Sequence, residues 1–234
     1  MDKEKARQLL SKFFIFSDYS DEELASIYSS IYLRHYSKGQ MLFIEGDPRD
    51  RIYFLLSGYV KYERTNTKAT LMYTDYVKPY SLFPYGGMLS DINYHYSAIV
   101  AADVSLFYIP TSVFEAFVVG HSRAMVELIH QLSRILELHE KRLQTITVSS
   151  ASERVIHALR YLVIDLGRQD GCEITLPFHL STVDLAGLSG TTRETVSHVL
   201  SRLRRDHAVT IQNQKIIIHN PHIFDIGERE TVTI

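Results

Sequence analysis

The spacing of hydrophobic positions changes several times along this chain. Near the N-terminus, apolar residues recur at helical intervals behind Ser20 and Glu23, which have capping-box spacing. From Tyr36 to Pro110 the apolar segments become short, rich in β-branched and aromatic residues, and separated by turn signals such as Ser57-Gly58. These predicted strands are MLFIEG, RIYFLLSG, YVKYER, TLMYTDYV, YSAIVA and VSLFYIP. Regularly spaced short strands predict a β-sandwich or barrel.

After Pro110 the period becomes helical and stays so to about Val148. A seam whose members lie alternately four and three residues apart runs along this region: Met125, Ile129, Leu132, Leu136, His139, Leu143 and Ile146. Strict alternation of this kind is typical of a two-helix coiled coil, so the seam predicts a symmetric dimer interface. The alternative is that the seam packs against the chain's own barrel.

The helical pattern stops at residue 149 and then restarts. Ser150 and Glu153 form a second capping box, and the apolar face of a new helix follows. We therefore predict three parts: an N-terminal domain at residues 1–110, a long helix at 111–148 and a C-terminal domain at 149–234.

Two short capped helices follow one another from Ser181 onward. Ser181 with Asp184 caps the first, Gly190 makes a tight turn, and Thr191 with Glu194 has capping-box spacing for the second. Two helices joined by a glycine turn predict a helix-turn-helix.

The second of these helices is amphipathic. Its core-facing residues are predicted to be Val196, Val199, Leu200 and Leu203. On the outer face, Arg193 can offer a bidentate fork to guanine and Glu194 can accept from cytosine N4. A hairpin turning at Asn213-Gln214 then forms a wing that lays Lys215 near the DNA backbone. The predicted DNA-binding residues are Thr191, Thr192, Arg193, Glu194, Ser197, His198, Arg202 and Lys215.

Composition and charge narrow the classes of protein. With 45% hydrophobic and 22% charged residues the chain has the make-up of a soluble globular protein. Neither a signal peptide nor a membrane span is recognisable, so we expect a cytoplasmic protein with no membrane partner. The single cysteine, Cys172, excludes an internal disulfide, a Cys-ligated Fe–S cluster and a Cys-rich zinc site. The net charge is −2, but residues 184–215 carry five Lys or Arg against three acids, a local field compatible with DNA.

Two motifs resemble those of one protein family. GTTRETVSHVLSRLRRD closely resembles the helix-turn-helix signature of the Crp/Fnr superfamily of bacterial regulators, and YSKGQMLFIEGDPRDRIYFLLSGYVKYER resembles the same family's cyclic-nucleotide-binding β-roll. The order of the parts matches as well, so the resemblance covers nearly the whole chain. In the family, the residues at the positions of Arg193, Glu194 and Ser197-His198 read base edges.

The resemblance implies an α+β protein with three parts. These are an N-terminal β-roll sensor domain (a double-stranded β-helix, jelly-roll-like), a long dimerisation helix and a C-terminal winged helix-turn-helix. The implied function is a non-enzymatic transcription regulator that binds a palindromic operator in double-stranded DNA as a homodimer, with RNA polymerase as a candidate partner. No catalytic residue, metal or cofactor is expected.

The effector site departs from the family pattern. Pro84 and Tyr85 stand in the region of the family's Gly-Glu pair, and Tyr96 precedes Ser97 where the family has a phosphate-binding Arg. A neutral phenol cannot supply a cationic fork. We therefore expect an effector other than cyclic AMP, or none. The residues expected at this pocket are Pro84, Tyr85, Gly86, Gly87, Tyr96, Ser97 and His139.

Other functions stay open at this point. One is a cyclic-nucleotide-responsive regulator whose atypical phosphate site uses Ser97 and the backbone amides of Gly86-Gly87. Another is a cupin-like β-barrel enzyme, for which the strands lack a cluster of His and carboxylate ligands. His95 and His139 are conceivable haem ligands, although we expect both to be structural. The LFP element near residue 82 resembles regulators of arginine deiminase and other anaerobic catabolic operons.

Overall fold

The computed structural model describes residues 2–65, 72–146, 150–171, 173–212, 215–219 and 224. The chain forms two compact units, Met1–Arg64 with Tyr76–Glu137 and Thr65–Asp75 with Leu138–Ile234. Cys172, the predicted turn at Asn213-Gln214 and the side chain of Ile146 lie outside the described part of the chain.

The N-terminal part of the chain combines helices with a six-stranded sheet. Its helices are α1 (Lys3–Leu10), a 3-10 turn (Phe14–Phe16), α2 (Ala25–Tyr28), α3 (Thr111–Gly120) and α4 (Ser122–Ile146). Its strands are β1 (Tyr32–Tyr36), β2 (Met41–Phe43), β3 (Arg51–Thr65), β4 (Met72–Val77), β5 (Leu82–Phe83) and β6 (Ser97–Pro110). The strand order is β1-β6-β3-β4, with β2 paired to β6 and β5 paired to β3.

Two long strands replace four predicted short ones. RIYFLLSG and YVKYER are continuous in β3, and YSAIVA and VSLFYIP are continuous in β6. The predicted turn at Ser57-Gly58 is instead an irregularity in the pairing of β3 with β6. Gly58 has a φ of +83°, and a Cβ built on it would lie 2.1 Å from the carbonyl oxygen of Asp103. A glycine inside an aromatic-rich segment therefore marks a bulge here and not a chain reversal.

Alternate residues of β3 and β6 contribute to two separate cores. Ile52, Phe54 and Phe107 pack with the N-terminal helices and α3, and the Phe54 and Phe107 rings stack at 4.7 Å between centroids. Tyr53 and Leu106 belong to a second cluster on the other side of the strands. Because side chains alternate along a strand, one strand pair builds both cores.

The predicted helical region after Pro110 is two helices. α3 ends at Gly120, and α4 begins at Ser122. Between them His121 has an extended conformation (φ −128°, ψ 101°), and its ring Nδ1 lies 2.8 Å from the carbonyl oxygen of Phe117. Glycine is a poor helix former, and the imidazole binds a carbonyl of the last turn, so the helix ends here.

The C-terminal part contains three helices and a four-stranded sheet. The helices are α5 (Ala151–Leu166), α6 (Thr182–Ser189) and α7 (Arg193–Arg205); the strands are β7 (Arg168–Asp170), β8 (Glu173–Thr175), β9 (Val209–Gln212) and β10 (Lys215–Ile218). The strand order is β7-β8-β10-β9. The Ser150 hydroxyl accepts from the Glu153 N–H at 3.3 Å, so Ser150 caps α5 through one of the two bonds of the predicted capping box. No helix among the described residues is both long and apolar enough to cross a membrane.

Gly58→Ala tests the close contact between β3 and β6. We expect a loss of roughly 3–4 kcal/mol in the free energy of unfolding, because the new methyl group meets backbone and the positive φ adds strain. Gly39→Ala is the control: its φ is +87°, with nothing within 4 Å of its Cβ, so only about 1–2 kcal/mol should be lost. Urea unfolding of both variants measures the difference, and equal losses would contradict the close contact.

Candidate nucleic-acid interface

Helix α6 begins and ends as its sequence predicts. The Ser181 hydroxyl accepts from the Asp184 N–H at 3.1 Å, and the Asp184 carboxylate accepts from the Ser181 N–H at 3.0 Å. This is a complete capping box. Gly190 ends the helix in the left-handed conformation, with φ 58° and ψ 42°. Local sequence therefore determines where α6 begins and where it ends.

The cap of α7 differs from the prediction. Thr191, the predicted cap, still belongs to the end of α6, because its N–H donates to the Ala186 carbonyl at 3.1 Å. Thr192 has the extended conformation of a cap, and its hydroxyl accepts from the Thr195 N–H at 3.3 Å. The first residue of α7 is therefore Arg193, in the helical turn whose backbone N–H groups have no intrahelical partner.

Helix α7 has one buried face and one exposed face. The buried residues are Val196, Val199, Leu200 and Leu203, which confirms the predicted apolar face. The exposed predicted DNA-binding residues are Thr192, Arg193, Glu194, Ser197, His198 and Arg202, whereas Thr191 is half-buried. Lys215 is exposed at the start of β10, opposite Gln212 of β9.

The N-terminal end of α7 carries a carboxylate with a defined charge state. Hydrogen bonds from its own backbone N–H and from the Thr192 hydroxyl lower the pKa of the Glu194 carboxyl. At neutral pH this side chain is therefore ionised, and it can act only as a hydrogen-bond acceptor. Arg193 beside it is a donor only. Adjacent donor and acceptor groups at one helix end are suited to base edges of opposite polarity.

The C-terminal end of α7 adds cations that the prediction left out. Arg204 and Arg205, together with Ser201 and Thr210, line a groove of about 460 Å³ between α7 and β9. Both arginines are exposed. The signal in the sequence was the run of three arginines in the last helical turn, which is also the ordinary arrangement of a cation-rich helix C-terminus.

In the predicted effector region, the polar groups bind the protein's own backbone. The Tyr96 hydroxyl accepts from the Gly86 N–H at 3.3 Å, and its ring lies 4.1 Å from the Tyr62 ring. The Ser97 hydroxyl accepts from the Glu45 N–H at 3.1 Å. Tyr96 thus connects the two segments that were predicted to bind an effector.

The remaining residues of this region are packed or paired. Pro84 is buried, and Tyr85 packs against the core around Phe54. Burial, and then the nearby Tyr96, raises the pKa of the Tyr85 hydroxyl, so it stays neutral. His95 Nε2 lies 2.6 Å from an Asp91 carboxylate oxygen. Gly87 has a φ of +75°, and a Cβ built on it would lie within 3 Å of both Asp91 and His95.

These contacts do not fit the usual grip on a cyclic nucleotide. That grip needs a cation at the phosphate, and the phenol of a tyrosine such as Tyr96 cannot carry a positive charge. The alternative phosphate site was to use Ser97 and the backbone amides of Gly86 and Gly87. Of these groups, the Gly86 N–H donates to Tyr96 and the Ser97 hydroxyl accepts from the Glu45 N–H. Within the described residues, no group of three or more His, Cys, Asp or Glu side chains is arranged to hold a metal ion.

His139 lies in the second unit beside a buried ion pair. Its Nε2 is 3.9 Å from Asp75 Oδ2, and Arg142 Nη1 is 3.7 Å from the same oxygen. Arg142 also donates to the Thr74 carbonyl at 2.9 Å. Asp75 and Arg142 are each only 8% exposed. The pair therefore joins strand β4 to the last turns of α4.

Two tyrosines complete the surroundings of this pair. The Arg142 guanidinium lies 5.5 Å from the centre of the Tyr73 ring and 5.7 Å from that of Tyr161. The Tyr73 hydroxyl donates to Asp75 at 3.1 Å, and the Tyr161 hydroxyl lies 3.5 Å from its other oxygen. Burial, and then the Asp75 carboxylate, raises the pKa of Tyr161. It therefore stays protonated and faces the carboxylate as a donor.

The predicted dimer seam is exposed along most of its length. Met125 packs against the core of the first unit, and His139 is half-buried. The other described seam residues are more than one-third exposed: Ile129, Leu132, Leu136 and Leu143. Apolar residues left in solvent at this spacing favour an external partner over the chain's own barrel.

Two family models match the chain. A cyclic nucleotide-binding domain matches residues 33–121, and a Crp-like helix-turn-helix domain matches residues 153–223. The global nitrogen regulator of Nostoc sp. is 30% identical over 191 residues, which are 80% of this chain and 84% of that protein. The HTH-type transcriptional regulator ArcR of Staphylococcus epidermidis is 29% identical over 188 residues, 80% of this chain and 81% of that protein.

Among solved structures, FixK2 from Bradyrhizobium japonicum has a similar fold. Its TM-score is 0.69 at 19% sequence identity, with 87% of this chain and 98% of that chain covered. The likeness supports the α+β fold predicted from the sequence.

Arg142→Met tests the buried ion pair. The substitution keeps most of the side-chain length but removes the guanidinium from the buried Asp75 carboxylate, so we expect the free energy of unfolding to fall by about 3–5 kcal/mol. Arg64→Met is the control, because its Nε contacts Glu45 at 3.0 Å in an exposed pair; it should cost about 1 kcal/mol or less. Equal losses in urea denaturation would show that the Arg142 contact is no stronger than a surface pair.

Proposed function

The chain belongs to the Crp/Fnr family of transcription regulators, and from this premise we propose that it binds a palindromic DNA operator as a homodimer. The observation that carries the proposal is the exposed N-terminal face of α7, with Arg193 and Glu194 in solvent and the opposite face buried. Because the family consists of regulators, a cupin-like enzyme is not proposed.

Base reading and backbone contact are assigned to different residues. Arg193 and Glu194 read base edges in the major groove, with Ser197 and His198 one turn further along. His198 stands where cyclic-AMP-responsive members usually have another Arg, so the preferred base pair at that position differs. Thr191, Thr192, Arg202 and Lys215 contact phosphates. These contacts set orientation and affinity and carry no sequence information.

A dimer is proposed through the exposed part of the α4 seam. A palindromic site requires two copies of α7 related by a twofold axis, and a parallel or antiparallel pair of α4 helices supplies one. The exposed seam residues give each helix an apolar stripe without charged members. Their burial against a second copy removes that stripe from water.

The effector is proposed to be a molecule other than cyclic AMP, or absent. Tyr96 in place of a cationic phosphate ligand supports this, as does its bond to Gly86. Control of arginine or anaerobic catabolism rests on the LFP element and stays a prediction. We also propose RNA polymerase as a partner and the cytoplasm as the location, since both follow from a transcription regulator's task.

Arg193→Ala tests the assignment of the base reader. The operator is first selected from a random DNA pool, and we expect a palindrome with half-sites about one helical turn apart. Arg193→Ala should then weaken operator binding by roughly 1–3 kcal/mol and relax specificity at one position of each half-site. Gel shift at fixed salt measures this, with Arg134→Ala on the exposed face of α4 as a charge-matched control. Operator affinity equal to wild type would refute the role of Arg193.

Leu136→Glu tests the dimer seam. Leu136 is 60% exposed in the single chain, so the substitution should leave each subunit folded while placing two carboxylates at the interface. We expect monomers in sedimentation velocity at micromolar concentration. The control is Leu138→Glu, which is also exposed but lies off the seam and should remain dimeric. A dimeric Leu136→Glu protein would rule out this seam.

A further inference from the structure

One arginine outside the helix-turn-helix binds the turn that connects its two helices. Arg154 of α5 donates from Nε to the Ser189 carbonyl at 3.2 Å and from Nη2 to the Gly190 carbonyl at 3.3 Å. The two oxygens belong to the last residue of α6 and to its cap. A helix leaves its last carbonyls without intrahelical partners, so these are the groups that most need a donor.

The residues gripped by Arg154 control where α7 begins. Gly190 holds the left-handed conformation, which a glycine can leave at little cost because it has no Cβ. Only Thr191 separates it from Thr192, the cap of α7. A rotation about Gly190 would therefore redirect the first turn of α7, including Arg193. Two hydrogen bonds from one planar guanidinium oppose that rotation.

Arg154 is itself held in place by α5. Its N–H donates to the Ser150 carbonyl at 3.0 Å, in the first turn behind the Ser150 cap. The next residue, Val155, is fully buried, as is Leu159 one turn later. The backbone that carries the guanidinium is therefore anchored in the core of the second unit, and the side chain is half-buried.

We propose that Arg154 is a positioning residue for DNA recognition, which sets the direction of the first turn of α7 and so the joint placement of Arg193 and Glu194. This inference rests on the proposed function. Arg154 does not touch DNA in this proposal. Its effect reaches the base edges through the Ser189 and Gly190 carbonyls, and a site of this kind must be held to within a fraction of an ångström.

A purely structural role for Arg154 would affect DNA binding differently from a positioning role. If the residue only stabilised the fold, its loss would lower the unfolding temperature while the folded fraction bound DNA with unchanged discrimination. A positioning role lowers affinity for the operator more than affinity for unrelated DNA, because phosphate contacts tolerate small rotations and base contacts do not. The ratio of the two affinities therefore separates the roles.

The test is Arg154→Lys, which keeps the charge but lacks a planar fork for two carbonyls. Fluorescence anisotropy would measure the dissociation constants of full-length protein for the selected operator and for a scrambled duplex, at one salt concentration. We expect operator affinity to fall about tenfold and affinity for the scrambled duplex to change less than about twofold. Arg134→Lys, on the exposed part of α4, is the control and should change neither.

A second measurement reports on the turn directly. Amide hydrogen exchange in Arg154→Lys should accelerate at Thr191 and Thr195, whose N–H groups bond within the turn and the cap, while Leu159 stays protected. Equal loss of affinity for both DNAs, unchanged operator affinity, or unchanged exchange at the turn would each overturn the proposal.

Two further outcomes concern the folding of the variants and the operator preference of the wild-type protein. If Arg154→Lys lacks the wild-type circular dichroism spectrum, Arg154→Gln, whose amide can still donate to one carbonyl, is measured in the same way. If that variant also fails to fold, Arg154 is needed for the fold itself and the positioning role is rejected. Wild-type protein that did not distinguish the operator from the scrambled duplex would instead reject the proposed function, with no bearing on the turn.

Discussion

The pairing of β3 with β6 is the contact on which the first unit depends. Residues opposite one another in this pair, such as Phe54 and Phe107, alternate with residues that face the other side. One side packs with the helices and the other fills the roll, so the two cores share a single backbone ladder. The bulge at Gly58 lets strands of this length curve without separating.

In the second unit, burial of one face of α7 has the same organising effect. Val196, Val199 and Leu203 are buried. Because they share one side of the helix, the opposite side is exposed to solvent. The polar side chains on that side stay in solvent, so their hydrogen-bonding groups are accessible to DNA. What burial cannot determine is the direction of the first turn, which depends on Gly190 and on the guanidinium that binds its carbonyl.

The predicted effector region departs from the family pattern at one residue, although the domain matches the family model. Tyr96 lacks the positive charge of the arginine that the family has at this position. Its ring contacts the Tyr62 ring, and its hydroxyl accepts a hydrogen bond from the Gly86 N–H. The site thereby becomes part of the packed roll. A buried ion pair lies elsewhere in the chain, where Asp75 and Arg142 contact each other between two tyrosine rings.

Local rules in the sequence determined the caps of α5 and α6, the glycine turn and the two faces of α7, because each depends on neighbours within about one helical turn. Two motifs of the sequence also resembled those of the family to which the chain belongs. Tertiary structure decided what depends on distant residues: that β3 continues through Gly58, which packs against the Asp103 backbone of β6, and that Arg154 meets Gly190. The spacing of residues along the sequence does not predict these contacts, because the partners lie many residues apart and meet only when the elements have packed.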